Sequence, residues 1–140
     1  LAAEQGNAIA QYNLGLMYDN GKGVPENYAE AVRWFRLAAE QGNALAQSNL
    51  GNMYRREEGV PENDVEAVRW FRLAAEQGYA SAQLNLGFMY NNGRGVPDNY
   101  VEAVRWFRLA AEQGNALAQS NLGNMYSSEV GVLEKDEEAV

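Results

Sequence analysis

One segment constrains this chain more than any other. The thirteen residues EAVRWFRLAAEQG occupy positions 30–42 and recur letter for letter at 66–78 and 102–114. The shorter LAAEQG begins at Leu1, Leu37, Leu73 and Leu109, always 36 residues apart. A fixed period of about 20–50 residues marks a repeat array. A single unit of that size cannot bury its apolar face alone. It stacks on its neighbours, and the stack makes a continuous core. Residues 1–140 therefore read as one solenoid domain: the end of a preceding repeat (1–6), repeats at 7–42, 43–78 and 79–114, and a partial repeat at 115–140.

Within one unit, Ala10, Leu14, Met17 and Tyr18 fall at i, i+4, i+7 and i+8, which is one face of a helix from Ala8 to about Asn20. Asn7 stands at its N-cap. A second helix is predicted over 28–41, with Tyr28, Ala31, Val32, Phe35, Ala38 and Ala39 as its apolar stripe and Trp34 on the flank. Asn27 and Glu30 have capping-box spacing, repeated as Asn63/Glu66 and Asn99/Glu102. Glu30–Arg33 and Arg36–Glu40 are spaced as surface pairs. Gly42 follows where a left-handed residue ends a helix.

Glycine marks three more repeat positions. Gly23, Gly59, Gly95 and Gly131 share one, read as requiring φ > 0. Gly21 and Gly93 share another with Glu57 and Glu129, so it tolerates a side chain. Gly15, Gly51, Gly87 and Gly123 lie mid-helix, at a cost of about 1 kcal/mol each against alanine. Close approach of a neighbouring helix offsets that cost, with Ala38 and Ala39 as the small residues to face it. The identical Trp34, Phe35 and Leu37 read as the stacking element. The fold class is all-α: helix hairpins stacked into a right-handed α/α superhelix.

Composition excludes several functions. There is no cysteine and no histidine. That removes disulfides, thiolate metal sites, and the commonest general base and metal ligand. No metal, cofactor or catalytic residue is expected. The net charge of −8 disfavours a phosphate backbone, so nucleic acid is not the partner. GKG and GRG lack the further glycine and the Lys-Ser/Thr of a phosphate loop. No run is long enough for membrane insertion. No targeting segment opens the chain, which leaves cytoplasm, periplasm and secretion all open.

Leu14-Gly15, Met17-Tyr18, Gly21, Gly23-Val24, Ala31, Trp34-Phe35 and Ala38-Ala39-Glu40-Gln41-Gly42 together resemble the Sel1-like repeat, a relative of the tetratricopeptide repeat. The likeness runs through essentially the whole chain. It implies a non-catalytic adaptor, and many bacterial relatives act at the cell envelope or in host contact. Cysteine-rich relatives are credited with β-lactam hydrolysis. This chain has no cysteine and no S-x-x-K, and its only lysines are Lys22 and Lys135. The fourth copy departs from the pattern: Leu133 replaces the loop proline and Lys135 the capping Asn, so its second helix is expected to start at Asp136 or to fray.

A binding face is sought where the repeats differ from one another. In the first helix these positions are Ile9/Leu45/Ser81/Leu117, Tyr12/Ser48/Leu84/Ser120, Leu16/Asn52/Phe88/Asn124, Asp19/Arg55/Asn91/Ser127 and Asn20/Arg56/Asn92/Ser128. They form one stripe, roughly opposite the Leu14/Met17 face. The recurring Asn13, Asn49, Asn85 and Asn121 lie inside it. Asparagine both donates and accepts, so this ladder suits a peptide backbone; it equally suits bonds between neighbouring repeats. The expected site is Tyr12, Asn13, Leu16, Asn49, Asn52, Leu84, Asn85, Phe88, Asn121 and Asn124, on a concave face. Tyr12/Leu16 and Leu84/Phe88 are apolar where Ser48/Asn52 and Ser120/Asn124 are polar. Two repeats separate the apolar patches by on the order of 20 Å. An extended segment of roughly six residues bridges that distance. The rival reading is a repeat fragment that self-assembles without a ligand, because uncapped ends favour head-to-tail association or fraying.

Overall fold

A computed structural model describes residues 2–139, with side chains described over 2–127. Among the described residues there are seven helices and no strand. The leading helices are α1 (Ala8–Asn20), α3 (Ala44–Arg56), α5 (Ala80–Asn92) and α7 (Ala116–Ala139). The second helices are α2 (Tyr28–Glu40), α4 (Asp64–Glu76) and α6 (Tyr100–Glu112). Each helix packs chiefly on the next in sequence, so the chain is a stack of hairpins.

The helix starts are set by asparagine. Asn7 and Asn43 accept the backbone N–H of Ala10 and Ala46 at 2.9 Å. In the third repeat Tyr79 takes this place and makes no side-chain cap. Asn27, Asn63 and Asn99 accept the N–H of Glu30, Glu66 and Glu102 at 3.1 Å. Only this half of the capping box forms. The Asn27 N–H instead donates to the Tyr18 carbonyl at 2.9 Å, tying the second helix to the end of the first. Glu30 is then free to pair with Arg33 at 3.4 Å.

The helix ends and loops use left-handed residues. Gly42, Gly78 and Gly114 have φ of 93°, 91° and 91°. Glu57 sits at φ 58° where Gly21 and Gly93 have 66° and 63°, so this position tolerates a side chain only in a strained conformation. Gly59 combines φ 75° with closeness: a Cβ there would stand 2.5 Å from the Tyr28 carbonyl oxygen. The loops at Gly59 and Gly95 thus rest on the first turn of the preceding repeat's second helix.

The fourth copy differs from expectation. α7 runs unbroken through Gly131 and past Asp136. Leu133 and Lys135 replace the proline and asparagine at which the other copies break. The remaining glycine costs a helix only about 1 kcal/mol.

Phe35, Phe71 and Phe107 are the largest fully buried side chains among the described residues, at 0–1% exposure. Each lies on the mid-helix glycine of its own hairpin: a Cβ at Gly15 would meet the Phe35 ring at 2.6 Å. The close approach expected at Gly15 is therefore made by Phe35, not by Ala38 or Ala39. Trp70 joins the core formed by α2 and α3, and Trp106 the core around α4 and α5. The tryptophan thus reaches back onto the preceding repeat. Leu37, Leu73 and Leu109 are 36–40% exposed and take no part in the stacking expected of them.

Ala46, Leu50 and Met53 are buried, as are Ala82, Leu86 and Met89. Their copies on α1, Ala10 and Leu14, are only half-buried, and Met17 is 39% exposed. The face is the expected one, but no second helix precedes α1 among the described residues. Leu50→Ala should therefore cost about 2–5 kcal/mol, and Leu14→Ala clearly less. Denaturant titration of both variants checks this; equal losses would mean that the α1 face is covered in solution. Glu57→Gly should raise stability by about 1 kcal/mol, by relieving the left-handed strain. An unchanged or lowered midpoint would contradict that origin.

Candidate functional site

The variable stripe lies on the leading helices, and the structure shows how deep each member sits. Tyr12 and Leu16 are half-buried, packed against the first core. The Tyr12 ring is 5.9 Å from Phe35. Leu84 and Phe88 are half-buried against the third core. Ser48 is 2% exposed, so the stripe in the second repeat begins below the surface. Tyr12, Leu16, Ser48, Leu84 and Phe88 thus border the core, whereas Ile9, Leu45, Ser81 and Leu117 are exposed. The half-buried members leave one edge in solvent.

The asparagines link neighbouring leading helices. Asn49 hydrogen-bonds with Tyr12 of the preceding repeat. Asn85 Nδ2 donates to Asn52 Oδ1 at 3.5 Å. Asn13 and Asn124 are exposed and Asn121 is half-buried. The structure thus joins Tyr12 to Asn49 and Asn52 to Asn85. Burial, then Tyr79, raises the Tyr12 pKa; the Asn49 bond acts in the opposite sense.

Charge is concentrated toward the C-terminal end of the stripe. The Arg55 guanidinium lies 5.7 Å from the Phe88 ring centroid, and its Nη2 donates to Asn52 Oδ1 at 3.4 Å. Arg94 makes two bonds to Asp64, at 3.1 and 3.0 Å. Asp19 has a raised pKa, first from burial and then from Glu58 and Glu26, with Arg56 opposing.

Two polar systems escaped the sequence reading. Gln77 Nε2 donates to Gln47 Oε1 at 2.9 Å, and Gln47 Nε2 to the Ala39 carbonyl at 3.1 Å. Gln113, Gln83 and Ala75 repeat this relay. Gln47 and Gln83 are each only 4% exposed. The signal was present: Gln11, Gln47, Gln83 and Gln119 recur at the repeat spacing, and the first three are buried. The second system replaces the expected Arg36–Glu40 pair. Arg36 Nη2 donates to the Tyr54 hydroxyl of the next repeat at 2.7 Å, and Arg72 to Tyr90 at 2.5 Å.

Shallow recesses lie elsewhere on the molecule. One of about 450 Å³ is bounded by Val65, Val68, Arg72 and Val96, on the side of the second helices. Another of about 450 Å³ lies against Ala10, Leu14 and Met17. Among the described residues no helix is long and apolar enough to cross a membrane, and no carboxylate cluster is placed to hold a metal ion.

Comparison with known families matches the Sel1 repeat at residues 8–43, 44–79, 80–115 and 116–140. Among solved structures the chain is similar to a protective antigen present in uropathogenic Escherichia coli strains, which displays an SLR fold. The identity is 52% and the TM-score 0.90, over 91% of this chain and 27% of that one. It is also similar to a Sel1 repeat protein from Oxalobacter formigenes, with 45% identity and TM-score 0.83 over 87% of this chain and 50% of that one. Helicobacter pylori cysteine rich protein B shares the fold at 21% identity and TM-score 0.70, over 82% of this chain and 89% of that one. The chain thus spans about a quarter and a half of the first two proteins. Comparison with curated protein sequences gives no match.

The Asp19 environment has a measurable consequence. A raised carboxyl pKa means that the folded state holds the proton more tightly than the unfolded state. Ionised Asp19 therefore opposes folding, and its cost fades as pH falls through the folded pKa toward the ordinary value of 3.8. Asp19→Asn should raise stability at pH 7, with the advantage over the parent disappearing near pH 3.8. Thermal melts of both proteins across that range read the difference. A gain that persisted unchanged to low pH would point to packing instead of charge.

Proposed function

Since the chain belongs to the Sel1 repeat family, we propose that it is a non-catalytic adaptor that binds a protein or peptide segment along the stripe of its leading helices. Proteins of this family are generally protein-interaction scaffolds. The observation that carries the choice of face is the contrast between repeats. Thirteen residues spanning most of the second helix and its end are identical in three copies, whereas Tyr12/Leu16, Ser48/Asn52 and Leu84/Phe88 differ at the same positions. Stacking accounts for the identity and leaves the stripe as the part free to specify a ligand. The half-buried Tyr12, Leu16, Leu84 and Phe88 present apolar edges held in place by core contacts, which suits anchoring without a large loss of side-chain freedom. Asn49, Asn52 and Asn85 lie between them, with polar groups for an extended backbone.

The ligand that fits is a segment with two apolar anchors roughly six residues apart. Two weak anchors on one segment gain by effective concentration. A second reading, head-to-tail association of copies, is favoured by the exposed Met17 and the half-buried Leu14 on the outer face of α1. The test of the first is Tyr12→Ser with Phe88→Asn, which gives the odd repeats the residues of the even ones. Capture of a partner segment should fall by more than either single change would cause, while circular dichroism keeps the helical signature. Unchanged capture by a folded double variant removes the stripe as the working face.

A further inference from the structure

The second repeat differs from the others at one end of its leading helix. Arg55 stands where the other copies have Asp19, Asn91 and Ser127, and Arg56 where they have Asn20, Asn92 and Ser128. Arginine in place of short polar residues brings extended positive charge to the junction of α3 and α5. The bonds made there divide unequally. Arg94, from the following loop, is satisfied by two bonds to Asp64 and a longer approach to Glu62 at 3.9 Å. Arg55 is not. Its guanidinium lies near the Phe88 ring and makes one long bond to Asn52, and its buried Nε–H has no partner among the described residues. A buried donor left without an acceptor costs about 1–3 kcal/mol, more when charged. Phosphate-binding and carboxylate-binding arginines are commonly held on an aromatic face in this way, with part of the fork left for the ligand.

We propose that Arg55 is a carboxylate-binding point at the end of the stripe, receiving an acidic side chain or the chain terminus of the bound segment while Phe88 and Leu84 take an adjoining apolar residue. This rests on the stripe being the binding face and adds a charge requirement to it. The charges that Arg55 faces decide the class of anion. They are two guanidiniums, Arg56 and Arg94, and one carboxylate, Asp64, which Arg94 already holds. Burial and these two arginines together lower the Arg55 pKa, the sign of a cation short of counter-charge. One carboxylate matches that deficit. A phosphate group, carrying nearly two charges, meets Asp64 and Glu62 at the same junction and a chain of net charge −8. A guanidinium also takes a carboxylate through two parallel bonds, here from its two Nη groups, because the Nε–H is buried.

Nitrogen-15 NMR of the arginine Nε–H groups tests this directly, with Arg55→Lys identifying the Arg55 signal by its loss. Three small probes are titrated at low salt: N-acetyl-phenylalanine, N-acetyl-Glu-Phe-amide and the neutral N-acetyl-Gln-Phe-amide. The expected result is that an acidic probe moves the Arg55 Nε–H and binds about tenfold more tightly than the neutral one, the size of one charge-assisted hydrogen bond. Arg55→Gln should abolish the preference without changing affinity for the neutral probe. Binding of N-acetyl-phenylalanine alone assigns the site to a chain terminus; binding of the Glu probe assigns it to an acidic side chain. Equal affinity for acidic and neutral probes overturns the carboxylate site but leaves the binding stripe standing. So does a preference that survives Arg55→Gln, or shifts confined to Arg33 and Arg69. If no probe moves any resonance of Leu84, Asn85 or Phe88, the stripe and the carboxylate site fall together.

Discussion

The contact on which the stack depends is a phenylalanine ring lying on a glycine. Phe35 covers Gly15, Phe71 covers Gly51 and Phe107 covers Gly87, with no room for a Cβ at any of the three. The magnitudes explain why the arrangement persists. A mid-helix glycine costs about 1 kcal/mol. Full burial of a phenylalanine contributes about 1.5–3 kcal/mol. The ring therefore more than offsets the glycine, and it sets how closely the two helices of a hairpin approach. Gly123 meets no described atom within 4 Å. In that copy no described ring lies above the glycine, and α7 continues where the others turn back.

With the hairpin fixed, coupling between hairpins falls to the rest of the thirteen-residue segment. Ala31, Val32, Ala38 and Ala39 line the core that the next leading helix covers. Trp70 and Trp106 extend back onto the repeat before, under Arg69 and Arg105 at 4.6 and 4.7 Å. Arg36 and Arg72 extend forward to Tyr54 and Tyr90. The glutamine relay stitches the helix ends, adding a second donor to the Ala39 and Ala75 carbonyls that already accept from Gly42 and Gly78. A residue that must satisfy a neighbour in front and another behind has little freedom to drift. Nothing in the structure explains why Leu37 is as constant as the rest.

Much of this was legible in the sequence because it is local. Helix spans, the asparagine caps and the glycine ends follow from residues within four positions of one another, and the period of 36 fixes where each copy stands. What the sequence left open were the partners across space. Helical spacing says that Gly15 needs a close neighbour, but not that Phe35 is nearer than Ala38. It says that Arg36 is on a surface, but not that a tyrosine 18 residues away competes with Glu40 and is reached at 2.7 Å. The glutamines were overlooked because a polar residue within a helix reads as solvated until its neighbours are known. For the proposed binding stripe, the sequence located the variable positions but not their depth. Ser48 is small enough to be enclosed, whereas Tyr12 at the same repeat position extends outward.

That depth changes how the alternation of apolar and polar repeats is understood. Asn52 accepts from both Asn85 and Arg55. Asn49 bonds back to Tyr12 and Arg55 stacks forward toward Phe88. The polar side chains of the second repeat therefore hold the apolar side chains of the first and third, on either side. Core contacts already seat Tyr12 and Phe88, and the second repeat adds to them. The same residues that separate the two apolar patches thus bear on their orientation as well. A change in the second repeat then alters both patches without touching either.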